Sequence, residues 1–276
     1  MSGFAELAEN YDGFIVDLWG VVHDGLKTYP GVIECLRQLR GLRKTVVFLS
    51  NAPRRAVAVG RALNAMGITA DLYTGIMSSG EAVHVAMRDR VDPDFAGLGS
   101  KLYHLGPSRD RDVFNTLAYT EVDAPHLADF ILNTGPDDHL GPDDPSIYAA
   151  TLQAGLDAKL PMVCANPDLE VIRDGKRIIC AGLLAQYYAA RGGVVIERGK
   201  PDAAIYAPTL QLLGTTRERT LAVGDSLRTD IAGAKAAGID SCWVLSGIHA
   251  LHAGEAPAQA EAAGMAPVAI LPAFNW

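Results

Sequence analysis

The stretch TLAVGDSLRTDIAGAKAAG, residues 220–238, decides the architecture. It opens with a short, largely apolar run, Thr220 to Gly224, of the kind a strand covered on both faces requires. An acidic turn follows, from Asp225 to Asp230, and then a helical pattern that stops at Gly238, a residue suited to a left-handed cap. Strand, turn and helix in this order are the unit of a doubly wound parallel sheet. The same alternation recurs on either side. GFIVDL (13–18), TVVFLS (45–50), VVIE (194–197) and CWVL (242–245) read as further buried strands of that sheet. Helical patterns run from Pro30 to about residue 40, from near Pro53 to Gly67, and over 202–213.

The middle of the chain repeats the alternation with its own set. LYHL (102–105), DFILN (129–133) and PMVCA (161–165) read as strands, and 79–90, 109–118, 145–158 and 182–191 as helices. Turn-rich text, GPSRD (106–110) and GPDDHLGPDD (135–144), lies among them. The expected architecture is therefore α/β. A Rossmann-like doubly wound core is formed by 1–78 plus 195–276 and is interrupted by a smaller inserted α/β domain, 79–194. A chain of 276 residues has enough length for both.

Composition narrows the function classes. Asp and Glu number 32 against 24 Lys and Arg, for a formal charge of −8, which argues against a general nucleic-acid binder. The excess is uneven: 79–194 holds seven more acids than bases, the remainder only one more. An acidic insert repels polyanions, so the expected partner is a small molecule carrying one phosphate. The four cysteines, Cys35, Cys164, Cys180 and Cys242, stand too far apart for a zinc spacing and read as reduced core residues. The N-terminal MSGFAELAENYDG has no apolar segment of the secretory kind, and no apolar run approaches the ~18 residues of a membrane span. A cytoplasmic protein with no membrane partner is the expectation.

Ligands in open α/β sheets bind beyond the carboxyl ends of the strands. Asp17 follows the first strand, Ser50 and Asn51 the second, Gly199-Lys200 the run at 194–197, and Asp225 with Asp230 the run at 220–224. A carboxylate can attack phosphorus and form an acyl phosphate. Two carboxylates can hold a hard divalent cation, and a hydroxyl, backbone N–H groups and an ammonium can hold phosphoryl oxygens. Taken singly, each residue reads as a turn, a helix cap or a loop lysine. Their joint occurrence at the ends of four strands points to phosphoryl transfer.

VDLWGVVHDG (16–25), FLSNAPRR (48–55), NPD (166–168), RGKPD (198–202) and VGDSLRTDIAGAKAAGI (223–239) together resemble the haloacid dehalogenase superfamily, within it subfamily IIA, whose members include nucleotide and 4-nitrophenyl phosphatases. The resemblance covers nearly the whole chain. It implies a Rossmann-like core with an inserted α/β cap, Asp17 as nucleophile, and Mg²⁺ held by Asp17, Asp225 and the backbone carbonyl of Trp19. It further implies Ser50 and Lys200 on the phosphoryl group with Asn51 beside them, and Asp230 supporting the metal site. In the cap, Asn166, Asp168 and the loop beginning at Thr134 are expected to face substrate, and dimerisation through the cap is a family expectation.

The chain departs from the family at one position. The first motif of the family reads Asp-x-Asp, and its second Asp protonates the leaving group and then activates water. Here that residue is Trp19, which can do neither. Three readings follow. The first is a phosphatase acting on small phosphate monoesters, with His23, Asp24 or a cap residue taking the proton role, or with leaving groups that need none. The second is a phosphate-ligand binder or regulator with little turnover. The third is a carbon–phosphorus hydrolase, which needs a Schiff-base lysine, with Lys101, Lys159 and Lys176 available. The aromatic ring of Trp19 also suits a cleft wall that stacks on a planar substrate.

Overall fold

The computed structural model describes residues 3–137, 144–173, 176–246 and 254–276. Of the turn-rich text at 135–144, residues 138–143 lie outside the described residues. In chain order the strands are β1 (Gly13–Val16), β2 (Thr45–Ser50), β3 (Gly75–Ser78), β4 (Lys101–Leu105), β5 (Thr120–Glu121), β6 (Phe130–Asn133), β7 (Met162–Cys164), β8 (Glu170–Arg173), β9 (Lys176–Ile179), β10 (Val195–Glu197), β11 (Thr220–Gly224), β12 (Asp240–Val244) and β13 (Ala269–Leu271).

The chain divides into two compact units. The first comprises Met1–Ser50, Val57–Met77 and Lys200–Trp276; the second comprises Asn51–Ala56 and Ser78–Gly199. The first carries a six-stranded sheet in the order β13-β12-β11-β1-β2-β3. The recorded ladders of β1 with β11 and β2, and of β12 with β11 and β13, are all parallel. Strands β2 and β3 lie on one side of β1, and β11, β12 and β13 on the other, so the winding reverses between β1 and β11. That reversal is where an open α/β sheet leaves a crevice at its carboxyl edge. All four residues of β1 are buried, and so are all five of β11, which explains their unbroken apolar text. The helix Val32–Gly41 buries Val32, Cys35, Leu36 and Leu39, the spacing of one helical face. The helix Ala232–Ala237 ends as its sequence predicts, on Gly238 at φ 68°. Phe4 packs edge-on to Phe274 at 4.8 Å and tilted to Phe14 at 5.3 Å, closing the unit beneath β1.

The second unit has its own five-stranded parallel sheet, β10-β7-β6-β4-β5, and a separate β8-β9 hairpin. Its core includes an apolar cluster around Ile131, Leu152, Met162 and Tyr188 and another around Val83, Phe95, Phe130 and Val163. The run at 194–197 needs correction. Read as a strand of the first sheet, it pairs instead with Met162–Cys164 of the second. Valine and isoleucine mark a buried strand equally well in either sheet, and here Ile196 packs on the cluster containing Val163. The chain therefore returns to the first unit at Lys200 rather than at 195. The helix read from Pro53 begins at Ala56, and the helix read over 109–118 is a 3₁₀ segment, Ser108–Val113. All four cysteines are buried and free. No helix among the described residues is long and apolar enough to cross a membrane.

Candidate active site

Asp17 is the first residue beyond β1, and its N–H donates to the carbonyl of Val223 on β11 at 2.9 Å. Asp225 is the first residue beyond β11. Its carbonyl accepts from Trp243 Nε1 on β12 at 2.8 Å, which pins the chain where it leaves the sheet. The turn that follows is unusually wide. Ile231 N–H reaches back to the Ser226 carbonyl at 3.1 Å, an i to i+5 bond, and Ser226 Oγ caps the turn by accepting from Thr229 N–H at 3.3 Å. This turn folds Asp230 back toward the start of its own loop, where Oδ2 accepts from Ser226 N–H at 3.1 Å. Gly224 is the enabling residue, since a Cβ there would collide with the Asp230 side chain.

Lys200 joins the carboxylates. Its Nζ donates to Asp17 Oδ1 and, at 2.7 Å, to Asp230 Oδ1. Asp17, Asp225 and Asp230 are all buried and present carboxylate oxygens within 4.8 Å of one another. Burial pushes the Asp17 carboxyl well above the usual carboxylate range; Lys200 opposes this, and the charges of Asp230 and Asp225 add to it. Asp17 and Asp230 share the Lys200 ammonium, and Asp225 brings a third carboxylate to the same spot. An oxygen-ligated divalent cation is the species that fits such a donor set.

The loop after Asp17 is shaped by glycines. Gly20 lies at φ 87°, and a Cβ on it would collide with Asp225 Oδ2. Only glycine lets this backbone approach that carboxylate. Its carbonyl accepts from Ser246 Oγ at 2.9 Å. Trp19 is half-buried, and its six-membered ring covers Gly25, where any Cβ would strike it. Its indole meets the His23 ring edge-on at 5.7 Å. His23 Nδ1 accepts from Gly25 N–H at 3.0 Å, and burial pushes this imidazole down to about 4. Asp24 Oδ1 accepts from Leu26 and Lys27 N–H, both at 2.9 Å, and these backbone bonds hold its carboxyl low. Neither residue is poised as an acid at neutral pH. His23 is neutral there, and Asp24 is the anionic acceptor of a turn.

Ser50 ends β2 beside β1 and is buried. The other expected residues fall within the second unit. Asn51 Nδ2 donates to Asp168 Oδ1 at 2.9 Å, and its Oδ1 accepts from Ser79 Oγ at 3.3 Å. Asn166 Oδ1 accepts from Asp168 N–H at 3.0 Å. Thr134 is buried with its hydroxyl 2.9 Å from His104 Nε2. Sequence reasoning missed Gly20, Gly224, Ser226, Trp243 and Ser246. The two glycines carried a signal, since each adjoins a residue already singled out. Trp243 and Ser246 carried none, because strand pairing alone brings them to the site.

Comparison with known proteins accords with this geometry. Residues 14–120 match a family model described as haloacid dehalogenase-like hydrolase, and residues 197–270 match a second described as HAD-hydrolase-like. The chain is similar to 4-nitrophenylphosphatase of Schizosaccharomyces pombe, 24% identical with 89% of this chain and 87% of the relative covered. It is also similar to the sugar-phosphatase AraL of Bacillus subtilis, 28% identical with 85% and 83% covered. Among solved structures it superposes on a haloacid dehalogenase-like family hydrolase from Brucella suis with a TM-score of 0.86, 27% identity and 99% of each chain covered. Matched by models on both segments that build the six-stranded sheet, and by relatives along most of its length, the chain belongs to the haloacid dehalogenase-like hydrolases.

Proposed function

We propose that the protein is a Mg²⁺-dependent phosphatase of small phosphate monoesters that works through an aspartyl-phosphate on Asp17. The observation that carries this reading is the buried cluster at the winding reversal: Asp17, Asp225 and Asp230 within 4.8 Å, with Lys200 bonded to two of them. Phosphatases among the relatives support the reaction class. Asp17, placed by β1 at the crevice, attacks phosphorus. Lys200 holds Asp17 in place and offers its charge to the phosphoryl oxygens. Ser50 supplies a hydroxyl from the neighbouring strand end. The carboxylates of Asp17 and Asp225 and the carbonyl of Trp19 would hold the metal, with Asp230 steadying Lys200. Bound there, Mg²⁺ supplies positive charge against the phosphate dianion. The acidic excess of 79–194 favours a substrate with a single phosphate over a nucleic acid. The protein is proposed to act in the cytoplasm, as a homodimer.

The carbon–phosphorus reading finds no support, because Lys101, Lys159 and Lys176 are all exposed to solvent, whereas a Schiff-base lysine is activated by desolvation. The test is a panel of phosphate esters assayed with Mg²⁺ and with chelator, for the parent protein and Asp17→Asn. Metal-dependent release of phosphate that disappears in the variant is the expected result. Tight binding of one ester with no turnover of any would make the protein a binder instead.

A further inference from the structure

The residues around Asp17 limit which leaving groups the site can expel. Trp19 stands two positions beyond Asp17 as a fixed wall, its ring seated on Gly25, a residue at φ 91° where any side chain would strike it. An indole N–H is far too weak an acid to pass a proton. The loop behind the ring is closed on itself: Gly20 N–H donates to the His23 carbonyl at 3.0 Å, and His23 N–H to that of Leu18 at 3.0 Å. His23 Nδ1 is taken by Gly25 N–H, and Asp24 Oδ1 by two backbone N–H groups. Lys200 donates to both Asp17 and Asp230, and its ammonium is held there as their counter-charge. Among the described residues of this unit, none that flanks Asp17 is placed to hand a proton to a departing oxygen.

We infer that the enzyme turns over phosphate compounds whose leaving group departs as a stable anion, namely aryl, enol and acyl phosphates, and discriminates against alkyl phosphates. This rests on the reading of Asp17 as the nucleophile. In the first step Asp17 Oδ bonds to phosphorus while the bond from phosphorus to the leaving oxygen breaks, and the electron pair departs with that oxygen. In the second, water adds to phosphorus and the bond to Asp17 Oδ breaks, giving dihydrogen phosphate and the free carboxylate. The first step consumes no proton, so its rate follows the stability of the leaving anion. An alkoxide, formed without the 10²–10⁴-fold help of a general acid, is the least favoured.

The experiment is a series of aryl phosphates graded in leaving-group acidity, with acetyl phosphate and glycerol phosphate at its ends, assayed as kcat/KM with Mg²⁺. The parent protein is expected to show a steep fall along the series, with glycerol phosphate at least about 10³-fold below 4-nitrophenyl phosphate. Trp19→Asp is expected to flatten the series by raising the alkyl end. The slope of the parent alone decides the matter if that variant does not fold. Alkyl and aryl phosphates turned over within tenfold of each other would overturn the inference and leave the phosphatase reading standing. No turnover anywhere in the series, or turnover untouched by Asp17→Asn, would overturn both.

Discussion

Two parallel sheets in this molecule end in polar residues, and the two ends are chemically opposite. At the carboxyl edge of β1 and β11 stand three buried carboxylates, two of them bonded to the buried Lys200 ammonium. At the carboxyl edge of β6 and β7 stand Asn133, Thr134 and Asn166, also buried but neutral and bonded to their own surroundings. Asn133 Nδ2 donates to the Ala181 carbonyl at 3.0 Å, and its Oδ1 accepts from Gly135 N–H at 3.2 Å. Thr134 closes on His104, and Asn166 on the Asp168 backbone. The architecture is shared. One edge gathers like charges in a form that suits a cation and a phosphate, and the other closes its polar groups on one another, save His104 Nδ1, which is buried without a hydrogen-bond partner.

The sharpest way to break this comparison is Asp17→Asn. Turnover of 4-nitrophenyl phosphate is expected to fall by about 10³-fold or more. The melting temperature in chelator should hold or rise, because burial opposes the ionised form of Asp17 and an amide carries no such penalty. A lower melting temperature would mean that the charged edge stabilises the fold in the way the neutral edge does. Next comes Gly20→Ala, which sets a methyl group against Asp225 Oδ2 at a left-handed backbone position. Turnover at saturating Mg²⁺ is expected to fall about 10²-fold, the cost of a misplaced site, with far-UV circular dichroism unchanged.

The neutral edge should respond in stability. Asn133→Leu keeps volume but removes a bond to the Ala181 carbonyl and leaves the Gly135 N–H without its Asn133 acceptor, so denaturant titration is expected to show a loss of about 1–3 kcal/mol. An unchanged midpoint would show that this edge is not a closed system. The smallest effect expected is a pH dependence. Burial holds the His104 imidazole down at about 4, against 6.5 for a free histidine. The unfolded chain therefore binds the proton first as pH falls. Stability from this group is fully present above pH 6.5 and is lost toward pH 4, by no more than about 3 kcal/mol. His104→Phe should flatten that limb of a stability–pH curve, although His23, equally depressed, keeps part of it.

The strands at 45–50 and 220–224 have the bounds their sequences predict, because a short apolar run closed by a polar residue fixes both strand and end. Asp17 and Asp225 were legible for the same reason, since each is the first residue beyond a buried strand, whereas Asp230 is brought back to them by the wide turn. What the sequence did not tell was membership. Val195–Glu197 looks like a strand of the first sheet and belongs to the second, because hydrophobicity records burial and not the neighbour that provides it. The short strands Gly75–Ser78 and Ala269–Leu271 went unread, being too brief for a periodic signal. Asn51 and Thr134 carry polar groups that fit a phosphate in the abstract. In the molecule those groups are held by Asp168 and Ser79, and by His104, partners far away in sequence.

The order of the strands also dictates an order of assembly. Gly13 pairs with Thr220, and Asp17 meets Lys200, only after Ser78–Gly199 has been made. During translation β1 and β2 emerge early and wait for β11, with one side of β1 unfilled. All five strands of the second sheet lie between Lys101 and Glu197, so that sheet can close while the first is still lacking half its strands. A truncated chain that ends before Lys200 lacks the ammonium and two of the three carboxylates. A nascent chain therefore lacks the assembled carboxylate and lysine cluster until Asp230 has been made.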